Sequence, residues 1–210
     1  MAKLTICLLF MFSLSILLPG SVTSCQRCSR ARAFVILSCK TTRYPKMCEK
    51  SLSKYVNATN LSHRQLAQIA LRVSLTEARF TRSYLMKMAS RLKKDHWKES
   101  QAIGECIDQI NDSVAQLRLS LRELNRCNDQ VSVDDFLWHM SNIETWASTA
   151  LTDQINCAAV FEGNARGKIV RSRVRAKVKD VTQVTSNALA LLNRFVTRHR
   201  FARRGSRLSP

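Results

Sequence analysis

Residues 98–126 read KESQAIGECIDQINDSVAQLRLSLRELNR. Ile103, Ile107, Ile110, Val114, Leu117, Leu121 and Leu124 recur there in alternating steps of four and three. That spacing lays one apolar stripe along an amphipathic helix from about Lys98 to Arg126. A stripe of this length needs other helices to bury it.

Three more helices are predicted around it. One runs from about His63 to Lys93, with Leu66, Ile69, Val73, Phe80 and Tyr84 as core candidates and Ser62 with Gln65 as a capping box. Another runs from Val133 to Glu162, with Phe136, Met140, Ile143, Ala147, Ala150 and Leu151 inward. Ser132 is placed to cap it, Val131 to staple onto Phe136, and Gly163 to stop it. The last runs from Lys168 to Arg203, with Val174, Val178, Val181, Ala188, Leu191 and Phe195 inward and a frayed basic end from Arg198 to Arg207. Short links near Asp95, Asn128 and Asn164 make successive helices antiparallel neighbours. The expected fold is all-α: an up-down-up-down four-helix bundle. The segment Ala33–Tyr55 reads as a helical hairpin turning at Thr41–Pro45 and closed by Cys39 and Cys48. Five glycines and three prolines in 210 residues speak against a turn-rich β architecture.

The first residues assign the compartment. Lys3, an apolar run from Leu4 to Leu18, the break at Pro19–Gly20, and Val22 and Ser24 at the −3 and −1 positions form a secretory signal peptide. The run is shorter than the roughly 20 residues of a membrane span. The expected organisation is a signal peptide over 1–24, an N-terminal extension with the hairpin over 25–61, the bundle over 62–204 and a basic tail over 205–210. Export leaves Cys25, Cys28, Cys39, Cys48, Cys106, Cys127 and Cys157, which read as disulfide formers rather than metal ligands. The C-x-x-C pair Cys25 and Cys28 lacks the strand–helix context of a redox site and the partner ligands of a zinc site. Asn57-Ala58-Thr59 and Asn60-Leu61-Ser62 are glycosylation sequons on an exposed linker; Asn111-Asp112-Ser113 also matches, within a helix.

The formal net charge is +19. It favours acidic partners, and export makes nucleic acid the least suited of them. The run from Arg166 to Lys179 alternates charge with Val170, Val174 and Val178, as a solvated helix face does. It lacks the interleaved aromatics of single-strand nucleic-acid binding. Catalytic signatures are missing: no Gly-x-Ser-x-Gly, no His-Glu-x-x-His, no phosphate-cradling glycine loop. His63, His96, His139 and His199 share no ligand spacing. The reading is a protein that binds a partner, with no enzyme activity, cofactor or metal and no membrane association.

Several segments together resemble a known family. They are Cys39-x8-Cys48, ECIDQINDSVAQLRLSLREL around Cys106, NIETWASTALTDQINC ending at Cys157, and SNALALL from Ser186. In order, they resemble the plant invertase and pectin methylesterase inhibitor family over nearly the whole mature chain. The resemblance implies the bridges Cys39–Cys48 and Cys106–Cys157, with Cys127 as an extra cysteine outside them. Cys25 and Cys28 depart from the pattern; pairing with each other, pairing with Cys127 and remaining thiols all stay open. Invertase inhibitors of the family tend to carry Pro-Lys-Phe before the third bundle helix, where this chain reads Val133-Asp134-Asp135-Phe136-Leu137. The Glu144-Thr145-Trp146 and Thr152-Asp153-Gln154 segments look more like the pectin methylesterase class. What this implies is a secreted, monomeric inhibitor in the cell wall or apoplast that binds a pectin methylesterase 1:1 and covers its pectin cleft. The alternatives are an inhibitor of acid invertase, a basic wall protein that binds acidic pectin directly, and a separated pro-region of an esterase.

The candidate binding face lies on the third bundle helix. At about 100° per residue, Trp138, Asn142, Thr145, Thr149 and Thr152 fall opposite the core-facing Ala147. This outer stripe is uncharged and carries a large aromatic, which suits an interface. The competing reading folds Trp138 back over the hairpin or the bundle end. His139 lies beside the stripe, where its protonation would tune binding.

Overall fold

A computed structural model describes residues 20–55, 61–92, 97–127, 132–162 and 168–207; the side chains of 20–29 and 201–207 are outside the description. Among these residues there are six α-helices and no strand. They are α1 (Gly20–Cys39), α2 (Pro45–Leu52, followed by a 3-10 turn over Ser53–Tyr55), α3 (His63–Ala89), α4 (Trp97–Arg126), α5 (Val133–Ala159) and α6 (Lys168–Arg207).

The bundle closes as expected. Helix α4 packs on α5, α5 on α6, α6 on α3 and α3 on α4. The stripe that predicted α4 buries Ile103, Ile110, Val114, Leu117 and Leu124, with Ile107 and Leu121 half-buried at its edge. Cys106 joins that stripe and is bonded to Cys157 of α5, with Cα atoms 4.3 Å apart. All six inward candidates of α6 are buried, as are Phe136, Met140, Ile143, Ala147 and Ala150 of α5; Leu151 is half-buried.

Local chemistry sets the helix starts. The Ser62 hydroxyl accepts from the Gln65 amide at 3.2 Å while the Gln65 side chain accepts from the Ser62 amide at 2.9 Å. This reciprocal box satisfies two donors that α3 would otherwise leave open. Ser132 accepts from the Asp135 amide at 3.0 Å, and Asp134 and Asp135 place negative charge at the positive end of α5.

Phe80 is a correction. It is 60% exposed rather than in the core. Helix α3 carries its buried face through Ala78, Thr81 and Leu85, so two small side chains hold core positions that a search for large residues passes over. Helix α6 also runs on to Arg207, past the expected end at Arg203, through the basic stretch read as frayed. Its last described turns are held by Phe195, which meets Phe136 edge-on at 5.7 Å, and by His199, stacked on Phe136 at 3.8 Å.

The hairpin is present and longer than expected, because α1 begins at Gly20 rather than near Ala33. Cys39 and Cys48 close it with Cα atoms 5.5 Å apart. It docks on α6 through a two-way amide clasp. The Tyr44 backbone N–H donates to Asn187 Oδ1 at 3.0 Å, and Asn187 Nδ2 donates to the Tyr44 carbonyl at 2.9 Å. Arg194 donates to Thr41 Oγ1 at 3.0 Å, and Phe34 meets the His63 ring at 4.9 Å. The sequons at Asn57 and Asn60, the staple at Val131, the stop at Gly163 and the side chains of Cys25 and Cys28 lie outside the described residues. Asn111 is exposed, but Ser113 of its sequon is wholly buried.

Candidate partner-binding face

Helix α5 presents two different flanks. The one against α4 is polar. His139 Nδ1 lies 2.6 Å from Glu123 Oε1, and Arg126 reaches the other Glu123 oxygen at 3.7 Å. Glu123 is buried, and these contacts give its carboxyl oxygens polar partners. Further along, burial pushes the Asp153 carboxyl above the ordinary carboxylate range, and the like charge of Asp112 adds to the effect.

The outer side of α5 carries a shallow groove of about 480 Å³ lined by Ser141, Glu144, Thr145, Ser148, Thr149 and Thr152. Three of the five expected site residues therefore line one surface. Their hydroxyls donate along the helix: Thr145 to the Ser141 carbonyl at 2.8 Å, Thr149 to Thr145 at 3.0 Å, Thr152 to Ser148 at 3.1 Å. Each hydroxyl oxygen keeps lone pairs directed away from the helix, so the groove offers acceptors and methyl groups.

Trp138 and Asn142 do not line it. Trp138 is 61% exposed and meets His139 edge-on at 5.1 Å, so it is not folded away. Asn142 is half-buried. Ser141, Glu144 and Ser148 were missed by the sequence reading. Glu144 also corrects the view of an uncharged stripe. Burial raises its carboxyl pKa, and Arg200 of α6 partly offsets that rise. The missed signal was the run of small hydroxyl residues at 141, 145, 148, 149 and 152, spaced in helical steps.

Within the most distinctive sequence segment, Gln154 proves to be structural. It is wholly buried, and its amide nitrogen donates to Ser113 Oγ at 2.8 Å and Thr185 Oγ1 at 3.1 Å, joining α4, α5 and α6. Among the described residues no three His, Cys, Asp or Glu side chains are placed to hold a metal, and no helix is long and apolar enough to cross a membrane.

A family profile described as plant invertase/pectin methylesterase inhibitor matches residues 33–191. The chain belongs to this family. Its sequence is 41% identical to pectinesterase inhibitor 9 of Arabidopsis thaliana over 196 residues, spanning 92% of this chain and 94% of the relative. It is 38% identical to pectinesterase inhibitor 11 of the same plant, spanning 95% of this chain and the whole relative. In fold it is similar to a crystal structure of a mutant form of a pectin methylesterase inhibitor from Arabidopsis. The TM-score is 0.57 at 19% identity, over 74% of this chain and 92% of the other. The family's expected bridges, Cys39–Cys48 and Cys106–Cys157, are both formed among the described residues.

Proposed function

We propose that this protein inhibits a pectin methylesterase, binding it 1:1 through the outer face of α5 and so excluding pectin from the enzyme's cleft. The action is steric and needs no chemistry by the inhibitor. The observation that carries the reading is the hydroxyl-lined groove of Thr145, Thr149 and Thr152, with the exposed Trp138 beyond its end. An exposed aromatic with small hydrogen-bonding neighbours has the composition of an interface rather than of a solvated helix face. The names of the relatives, pectinesterase inhibitors 9 and 11, support the same target class. The segment before α5 reads Val133-Asp134-Asp135-Phe136-Leu137, without the Pro-Lys-Phe expected of an invertase inhibitor.

The leader over 1–24 directs the chain out of the cell, and the mature protein acts as a monomer in the wall space. Asn57 and Asn60 carry its glycans. The deciding experiment assays the purified mature protein against a pectin methylesterase and an acid invertase, side by side, at several pH values. Inhibition of the esterase with an unaffected invertase is expected. Potent invertase inhibition with an unaffected esterase overturns the reading.

A further inference from the structure

One end of the bundle carries a concentration of exposed positive charge. A compact apolar cluster defines that end. It gathers Leu85 and Met88 of α3, Ile103 of α4, Cys157 of α5 and Val170 and Val174 of α6. The C-terminal end of α3 and the N-terminal ends of α4 and α6 therefore meet around it. Lys87 and Arg91 stand at the C-terminal end of α3, Lys98 at the start of α4 and Lys168 and Arg173 in the first two turns of α6, and all five are exposed.

Two of the five stand where a helix disfavours a cation: Lys98 is the second residue of α4 and Lys168 the first of α6. The first turn of α6 holds Lys168 and Arg171 and no acidic residue. A cation at a helix N-terminus faces the positive end of the dipole and is disfavoured there. Further along α6, Arg175 meets Glu162 at 3.9 Å and Lys177 meets Glu77 at 3.5 Å, both across helix boundaries. Exposed cations held where the helix dipole disfavours them suit an external polyanion.

The same end exposes an aromatic. Trp97, the first residue of α4, is 61% exposed, with the Lys98 ammonium 5.3 Å from its ring centroid. A flat indole beside cations matches a sugar ring bearing a carboxylate: the C–H face of the ring stacks on the indole while the carboxylate meets the ammonium groups. Glutamate, aspartate and phosphate groups present no such face.

We propose that this end of the bundle, built by Trp97, Lys98, Lys87, Arg91, Lys168 and Arg173, binds an acidic polysaccharide, a chain of uronate sugars with free carboxylates. The surface is separate from the α5 groove. The groove ends at Thr152, about 12 Å along the helix axis from Val160 at the apolar cluster, and none of these six residues lines it. The proposal does not depend on the identity of an enzyme target, and its test needs no enzyme.

Binding of the full mature protein is measured to fully de-esterified polygalacturonate, the same polymer fully methyl-esterified, poly-glutamate, and phosphatidylserine vesicles. Tight binding to de-esterified polygalacturonate and at least tenfold weaker binding to the esterified polymer are expected. The triple variant Lys87→Glu, Lys168→Glu, Arg173→Glu loses at least tenfold in affinity. A second triple with the same change in net charge, Lys46→Glu, Lys50→Glu, Lys54→Glu on the hairpin, loses less than threefold. Trp97→Ala, which removes an exposed side chain, weakens polygalacturonate binding several-fold and leaves poly-glutamate binding unchanged. Equal losses in the two triples reduce the effect to net charge and overturn the site. Indifference of polygalacturonate binding to Trp97→Ala, or a preference for poly-glutamate or the vesicles, overturns the sugar assignment.

Discussion

The Gln154 amide and the Ser113 hydroxyl meet at 2.8 Å in the middle of the bundle, where neither side chain is accessible to solvent. With Thr185 the contact ties three helices at one level and fixes their rotation about their axes. Gln154→Ala removes both bonds and leaves a cavity. A loss of about 2–4 kcal/mol is expected, read by urea unfolding. Inhibition measured well below the unfolding temperature stays at the parent level, because Gln154 does not reach the surface.

Thr145 and Thr149 lie on the groove, exposed and bonded only to their own helix. Thr145→Arg or Thr149→Arg weakens esterase inhibition at least tenfold, about 1.4 kcal/mol, with the melting temperature nearly unchanged. Arg173→Glu, on α6, serves as the control and changes inhibition less. If both threonine variants inhibit like the parent, the esterase docks elsewhere on the bundle.

The bridges differ in the loop they close, 51 residues apart for Cys106–Cys157 and 9 for Cys39–Cys48. On the loop-entropy scale, removing the first costs about 4 kcal/mol and the second about 3. Denaturation of the paired Cys→Ser variants gives both values, and non-reducing peptide mapping checks the pairing.

Asp153 has its carboxyl pKa raised, chiefly by burial and then by Asp112. An acid whose pKa is higher folded than unfolded binds more protons in the native state, so stability falls as pH rises from the unfolded value through the folded one. Asp153→Asn is therefore expected to raise the melting temperature at pH 7. The advantage disappears below about pH 3.8, where the parent's Asp153 is protonated in both states.

His63 shifts the other way. Burial lowers its pKa, and Arg198 and Arg194 lower it further. Its neutral ring packs on Phe34 of the hairpin. Stability from this group is full above about pH 6.5 and is lost as pH falls through the lower folded value. Hydrogen exchange of α1 at pH 7 and pH 5 checks this: protection of the hairpin drops at pH 5 in the parent and changes little in His63→Gln.

Much of this was legible because helices announce themselves by period. The 103–124 stripe, the Ser62–Gln65 box and the Ser132 cap are local signals, and local signals survive folding. Phe80 misled because size is a poor guide where helices approach closely and alanine or threonine fills the seam. The groove was half legible. Angular position about α5 picked out the three threonines, but it could not tell which flank α6 would leave open, and that brought in Ser141, Glu144 and Ser148. Gln154 was noticed for its company in a distinctive motif; only tertiary contact with Ser113 and Thr185 reveals it as a core residue.

The clasp between Tyr44 and Asn187 spans 143 residues of chain. During synthesis the residue that receives the hairpin leaves the ribosome 143 residues after its turn. Docking therefore closes the fold rather than starting it, since so distant a contact carries a large loop-closure cost. Until then Cys39–Cys48 is the hairpin's own restraint, a closure that needs only nine residues of chain. A chain truncated before Asn187 would keep a covalently closed hairpin with nowhere to sit, its Phe34 face open to water and to other chains.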